Sequence, residues 1–259
     1  MILFELEDAR IFSILLKNIL DVIGVYEDAE FKAEPNGIIA RQMDSAKVVM
    51  YEMFLPTNFF EEYYGATLGK SIIFRFNAKR VFDFLKGLTE PLIFEINEAE
   101  KKLKITVEDV EFEIAYIPGE KILPELKLTP AASVTFKTDL VLPIMSHLGD
   151  PQVLVKVKIS YEGFSMELKE EYRHFQHSEF KIPKRMLISM NINKEAESFY
   201  NGDLLKLVLG KKELSRTSTV SLINGEKRYV LRVEYPLVGI DKRQAGFFRY
   251  YVAPRTSET

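Results

Sequence analysis

Polar and apolar residues alternate along most of this chain. Lys101-Lys-Leu-Lys-Ile-Thr-Val107 and Arg228-Tyr-Val-Leu-Arg-Val233 show the pattern clearly, as expected of strands with one face in a core and one in water. Pro35-Asn-Gly37, Glu162-Gly163 and Asn224-Gly225 fall between such runs at hairpin spacing. Four stretches break the rhythm and predict helices. Residues 9–20 place Ile11, Ile14, Leu15 and Ile19 on one face, and 77–88 place Ala78, Val81, Phe82 and Leu85. Residues 138–149 (Leu140, Ile144, Met145, Leu148) and 201–212 (Leu204, Leu205, Val208, Leu209) repeat the i, i+3, i+4, i+7 spacing.

The two halves read as copies. Phe31–Gly37 lines up with Val157–Gly163, and Lys104–Glu108 with Val230–Glu234, each pair 126 residues apart. Arg80 and Lys206 share that offset within the second and fourth helices. Three agreeing offsets point to an internal duplication. Ile117–Lys127, marked by Pro and Gly, joins the copies. The expected division is 1–117, a connecting loop at 118–130, and 131–259.

Composition narrows the chemistry. The 259 residues are 47% hydrophobic and 28% charged, ordinary for a folded α+β protein. With no cysteine, disulfides, thiolate zinc sites and cysteine nucleophiles are excluded. No apolar run is long enough for a transmembrane helix, and acids occupy the start where a secretory leader is basic. A soluble intracellular protein is expected. The absence of Cys and Trp, with this charged fraction, also suits a thermophile.

Net charge is −3, but it is unevenly spread: the four helical stretches total +5 and the remainder −8. Arg10/Lys17 and Lys79/Lys86 recur seven apart, on one helix face. Basic helices on an acidic body suit sequence-independent contact with a polyanion, whose phosphates lysine and arginine neutralise without reading bases. The plainer alternative is a set of solvated helix faces.

Tyr235-Pro-Leu-Val238 and Phe248-Arg-Tyr-Tyr-Val-Ala-Pro-Arg255 resemble the ending of archaeal and eukaryotic sliding clamps, the family of proliferating cell nuclear antigen. Met43-Asp-Ser-Ala-Lys-Val-Val49, Leu123-Pro-Glu-Leu126 and Ser146-His-Leu-Gly-Asp150 match further family segments in the same order. The resemblance implies two similar domains of the DNA-clamp fold, with helices lining a central channel, antiparallel sheets outside, and three subunits closing a ring on duplex DNA. It implies no catalytic residue, no cofactor and no metal. Arg10, Lys17, Lys79, Arg80, Lys86, Lys206, Lys211 and Lys212 become the channel candidates. A partner-peptide pocket is carried over to Met43, Lys47, Val48, Leu123, Pro124, Pro236, Tyr251, Ala253 and Pro254, with Val48 and Pro236 also readable as ordinary core. Subunit edges fall at 107–116 (Glu108, Glu111, Phe112, Glu113) and 172–181 (Arg173, His174, Phe175, His177, Phe180, Lys181), acidic against basic. Expected partners are duplex DNA, identical or paralogous subunits, DNA polymerase, flap endonuclease, DNA ligase and a clamp loader. The implied roles are replication and repair, in an archaeal cytoplasm at the nucleoid or a eukaryotic nucleus.

The third helix departs from the family: it carries Asp139, no Lys or Arg, and Pro143 in its interior. A subunit specialised for a mixed ring and a drifted homotrimer both fit. Rival classes are an enzyme and a protein–protein scaffold that does not encircle DNA. His174 and His177 are spaced i, i+3 in a strand-like run and lack a third metal ligand. Glu61-Glu62 and Glu170-Glu171 are ordinary surface carboxylates, and no phosphate loop, dinucleotide fingerprint or nucleophile elbow is present.

Overall fold

The structure, a computed structural model, describes residues 2–64, 71–148, 153–170, 178–225, 228–239 and 242–255, with backbone alone at 169 and 170. It divides into two compact units, residues 1–124 with 236–248 and residues 125–235 with 249–259. The first contains β1 (Ile2–Leu6), α1 (Ala9–Ile23), β2 (Asp28–Glu34), β3 (Gly37–Met43), β4 (Val49–Pro56), β5 (Glu62–Tyr64), β6 (Ile72–Asn77), α2 (Ala78–Leu85), β7 (Leu92–Asn97), β8 (Lys102–Val107), β9 (Val110–Ala115) and the short β10 (Ile117–Pro118). The second contains β11 (Pro130–Lys137), a 3₁₀ helix (Thr138–His147), β12 (Val153–Ser160), β13 (Gly163–Glu170), β14 (Ser178–Pro183), β15 (Ser189–Ile192), β16 (Ala196–Asn201), α3 (Gly202–Val208), β17 (Thr217–Asn224), β18 (Tyr229–Val238) as far as Tyr235, and the end of β19 (Gln244–Val252). Among the described residues no helix is long and apolar enough to cross a membrane.

Strand order repeats. In the first unit one sheet runs β5-β1-β7-β8-β9 and another continues β10-β6-β2-β3-β4; in the second, β15-β11-β17-β18 and β16-β12-β13-β14 follow the same connectivity. All pairings with a recorded register are antiparallel. Gly37 and Gly163 open equivalent strands with the same φ of +140°. A Cβ would lie 2.1 Å from the Leu55 carbonyl oxygen at the first and 2.2 Å from that of Ile182 at the second, so only glycine fits either turn. The helices repeat at a different offset. Asn77 and Asn201 precede α2 and α3, and buried Ala78 and Val81 correspond to Gly202 and Leu205, all 124 apart. Arg80 therefore aligns with Leu204 rather than Lys206, because the second copy is two residues shorter between hairpin and helix.

Each unit buries its own core. In the first, Phe4 stacks on Phe94 at 4.5 Å, Phe31 on Phe76 at 5.1 Å, and Phe12 meets Phe94 edge-on; each buried ring contributes roughly 2–3 kcal/mol. The buried side of α1 is centred on Phe12, Leu15, Leu16 and Ile19, leaving the predicted Ile11 and Ile14 at its margin. Asp8 starts that helix by accepting the Arg10 N–H at 2.8 Å, and Gly24 at φ +85° ends it. In the second unit Phe136 packs on Phe164 at 5.4 Å above the buried Val155 and Val157.

Three of the four helical expectations change, the second helix ending at Leu85 rather than 88. Residues 138–147 form a 3₁₀ helix, with buried Thr138, Val141 and Ile144 three apart; three residues per turn puts that spacing on one edge. Pro143, which lacks an N–H, sits exposed within it. The fourth helix stops at Val208 rather than 212. The buried Tyr235 hydroxyl donates to the Val208 carbonyl at 2.8 Å and accepts the Lys211 N–H at 3.3 Å, while Gly210 turns the chain at φ +68°.

Candidate functional site

On α1, Arg10 and Lys17 are exposed on the side opposite the core, with Asp21 one turn further on. Arg10 is held by the Asp8 carboxylate, its Nε 2.8 Å from Oδ2. That hydrogen bond and charge raise the guanidinium pKa further above its already high value. On α2, Lys79 is ion-paired with Asp83 one turn on, while Arg80 is exposed and Lys86 caps the helix. Helices α1 and α2 pack together in the first unit, so their cations share one element pair. In the second unit Lys206 is exposed on α3. Lys211 and Lys212, expected on the helix, lie in the turn beyond it, Lys211 half-buried. Among the described residues Lys17, Arg80, Lys86 and Lys206 have no ion-pair partner.

The pocket candidates divide between the two units. In the first, Asp44 shapes the β3–β4 hairpin by accepting the Val48 N–H at 2.8 Å and the Val49 N–H at 2.7 Å. Lys47 takes φ +58° at its tip. Met43 and Lys47 are thereby exposed and Val48 half-buried; Leu123 and Pro124 are exposed and Pro236 half-buried. Beneath Leu123 lies an ion pair the sequence reading passed over. Arg41 Nε is 2.6 Å from Glu52 Oε1, and Arg41 Nη1 donates to the Leu123 carbonyl at 3.3 Å. No local sequence signal marks the pair, because its partners meet across two strands. In the second unit Tyr251 is buried while Ala253 and Pro254 are half-buried. The segment is tied down by the Arg255 N–H donating to the Phe199 carbonyl at 2.9 Å.

Both expected subunit edges involve sheet edges. Among the described residues β9 borders only β8 in its sheet, and β14 borders only β13. Phe112 is half-buried and stacks on Phe84 of α2 at 4.9 Å, flooring a cleft of about 580 Å³ that Arg80, Asp83 and Ile114 also line. Glu108 is exposed in the β8–β9 turn. The acidity of this edge is less one-sided than the sequence suggested: Lys104 pairs with Glu111 at 2.6 Å and Lys102 with Glu113 at 3.2 Å. On β14, Phe180 is half-buried and Lys181 pairs with Glu179 at 2.8 Å. Arg173, His174, Phe175 and His177 lie outside the described residues. Among the described residues no three His, Cys, Asp or Glu side chains are grouped to hold a metal ion.

No protein-family model matches the chain. The DNA polymerase sliding clamp of Thermofilum pendens is 24% identical over 264 residues, covering 98% of this chain and 99% of that protein. Sequence and fold comparisons both return sliding clamps. The chain matches the archaeal and eukaryotic sliding clamps along nearly its whole length. The clamp of Archaeoglobus fulgidus, solved with the C-terminal region of FEN-1, superposes with a TM-score of 0.79 at 23% identity over all of both chains. A PCNA2–PCNA3 complex from Sulfolobus tokodaii gives 0.78 at 19% identity, covering 98% of this chain and 99% of that one. The two-unit α+β architecture is the clamp fold.

Proposed function

We propose that this chain is the subunit of a DNA sliding clamp, a processivity factor that encircles duplex DNA and tethers replication and repair enzymes while doing no chemistry itself. The observation that carries the reading is the repeated strand order, in which β9 and β14 end their sheets while β4 and β19 are neighbours. By the repeat, β14 is the counterpart of β4, and β9 the counterpart of β19. In the first unit, β4 is bordered by residues 244–248, Phe247 and Phe248 lying against Phe54 and Tyr51. A second copy supplying its β9 to β14 repeats that pairing head to tail, the heterologous contact that generates a closed ring when the rotation permits. Phe112, Phe180, Glu108, Glu111, Glu113 and Lys181 are the described residues assigned to it. The channel contacts are assigned first to Lys17, Arg80, Lys86 and Lys206. Arg10 and Lys79 follow, since each must give up its carboxylate partner, Asp8 or Asp83, to meet a phosphate. Lys211 and Lys212 come last.

The FEN-1 segment on the Archaeoglobus clamp supports flap endonuclease as a client, with Met43, Lys47, Val48, Leu123, Pro124, Pro236, Tyr251, Ala253 and Pro254 as the residues assigned to peptide contact. Polymerase, ligase and a clamp loader follow by family. The PCNA2–PCNA3 complex supports assembly with paralogous subunits. Polymerase extension on a primed circle tests the reading: with a clamp loader, the chain alone or with its paralogues lengthens each synthesis burst. A chain that never raises processivity while remaining folded is the scaffold of the alternative reading.

A further inference from the structure

Between Gly119, whose N–H bonds Ile73, and Leu126, the connecting segment makes a single hydrogen bond among the described residues: Arg41 to the Leu123 carbonyl. The donor is unusually well fixed for a surface arginine. Glu52 is 1% exposed and Arg41 14%, their Cα atoms are paired across β3 and β4, and Nε sits 2.6 Å from Oε1. One edge of the guanidinium is committed to the buried carboxylate, leaving Nη1 for the backbone. A lysine cannot divide its contacts in that fixed planar way. Replacing Arg41 alone removes the cation that faces the buried Glu52 carboxylate, a cost a bare surface tether would not require.

We infer that Arg41, held by Glu52, is a positioning residue that pins the connecting segment against the first unit's sheet, so that Leu123 is presented in one place to an incoming peptide. The peptide part of this inference rests on the proposed function; the pinning does not. The peptide is taken as a C-terminal FEN-1 segment of the kind held by the Archaeoglobus clamp, and pinning lowers the cost of ordering its receptor side before it arrives.

The test uses the full chain with Arg41→Met and Glu52→Met together, since exchanging a buried ion pair for apolar residues of similar size commonly preserves stability. Arg41→Lys with Glu52 intact serves as the conservative variant. Lys121, exposed in the segment two residues before Leu123, reports its mobility through trypsin. The expected result is an unchanged urea midpoint, cleavage after Lys121 about tenfold faster in the double variant, and an intermediate rate for Arg41→Lys. Affinity for a synthetic peptide of the stated kind should fall about three- to tenfold. Unchanged cleavage overturns the pinning. Faster cleavage with unchanged affinity overturns the role in presentation. A wild-type chain that binds no such peptide defeats the pocket of the proposed function, while the cleavage rates still decide whether Arg41 pins the segment.

Discussion

If the helices face DNA and the sheets face away, two pairs of lysines with the same formal charge behave differently. Lys17 and Lys86 are exposed at α1 and α2 and have no carboxylate partner among the described residues. Lys104 and Lys156 lie on strands and are paired, at 2.6 Å with Glu111 and 3.1 Å with Glu197. Changing either pair to alanine removes two charges, so their long-range effects on a polyanion match. Contact does not. Each lysine that neutralises a phosphate contributes about 0.9 to the slope of log affinity against log salt. Lys17→Ala with Lys86→Ala should flatten that slope by up to about 1.8 per DNA-facing subunit, and Lys104→Ala with Lys156→Ala by less than about 0.3. Fluorescence anisotropy of a labelled duplex, titrated from low to physiological salt, reads both values. Equal slopes for the two double variants would refute the assignment of the helices to the DNA side.

Three further expectations follow from the same geometry. Phe112→Ala should weaken self-association by about tenfold or more, because it removes the ring stacked on Phe84 at an open sheet edge; sedimentation velocity measures it, and an unaltered profile removes β9 from the contact. Gly37→Ala and Gly163→Ala should each cost about 2–4 kcal/mol in urea unfolding, since both force a side chain into a φ of +140° and against a carbonyl. A tolerated substitution at either would break the proposed equivalence of the hairpins. Burial pushes the Tyr63 hydroxyl up to about 12, and it also raises Tyr51, Tyr200 and Tyr235. These groups favour the fold while neutral, so stability should be full below pH 10 and decline as pH rises through about 12. Circular dichroism across that range checks the direction, and stability that increases from pH 10 to 12 would contradict it.

The strands and hairpins were legible because alternation and glycine turns are local signals, as at Lys101–Val107 and Gly163. The repeat was legible for the same reason, although the helix offset differed by two residues. The extent of α3 was not: Lys211 and Lys212 continue a helix-like pattern, and what stops it is a hydroxyl arriving from Tyr235 on another strand. Only Gly210 carried a local hint. The 3₁₀ winding of 138–147 was half visible in Pro143, yet its depth of burial at Thr138 depends on the Arg216 carbonyl, which bonds its N–H at 2.9 Å. Basic residues were found from composition, but their pairing with Asp8 and Asp83 shows that charge counted along a sequence is not charge available to a ligand. Arg41 and Glu52 were missed because an ion pair across two strands leaves no spacing rule in the chain.

Encirclement is the claim on which the functional account turns, and it has a topological signature. The assembled protein is loaded onto a nicked circular duplex, separated from free protein by gel filtration at physiological salt, and the circle is then cut once. Co-elution with the intact circle and release on linearisation is the expected result. Equal retention on circle and line, or none on either with a competent loader, would contradict it.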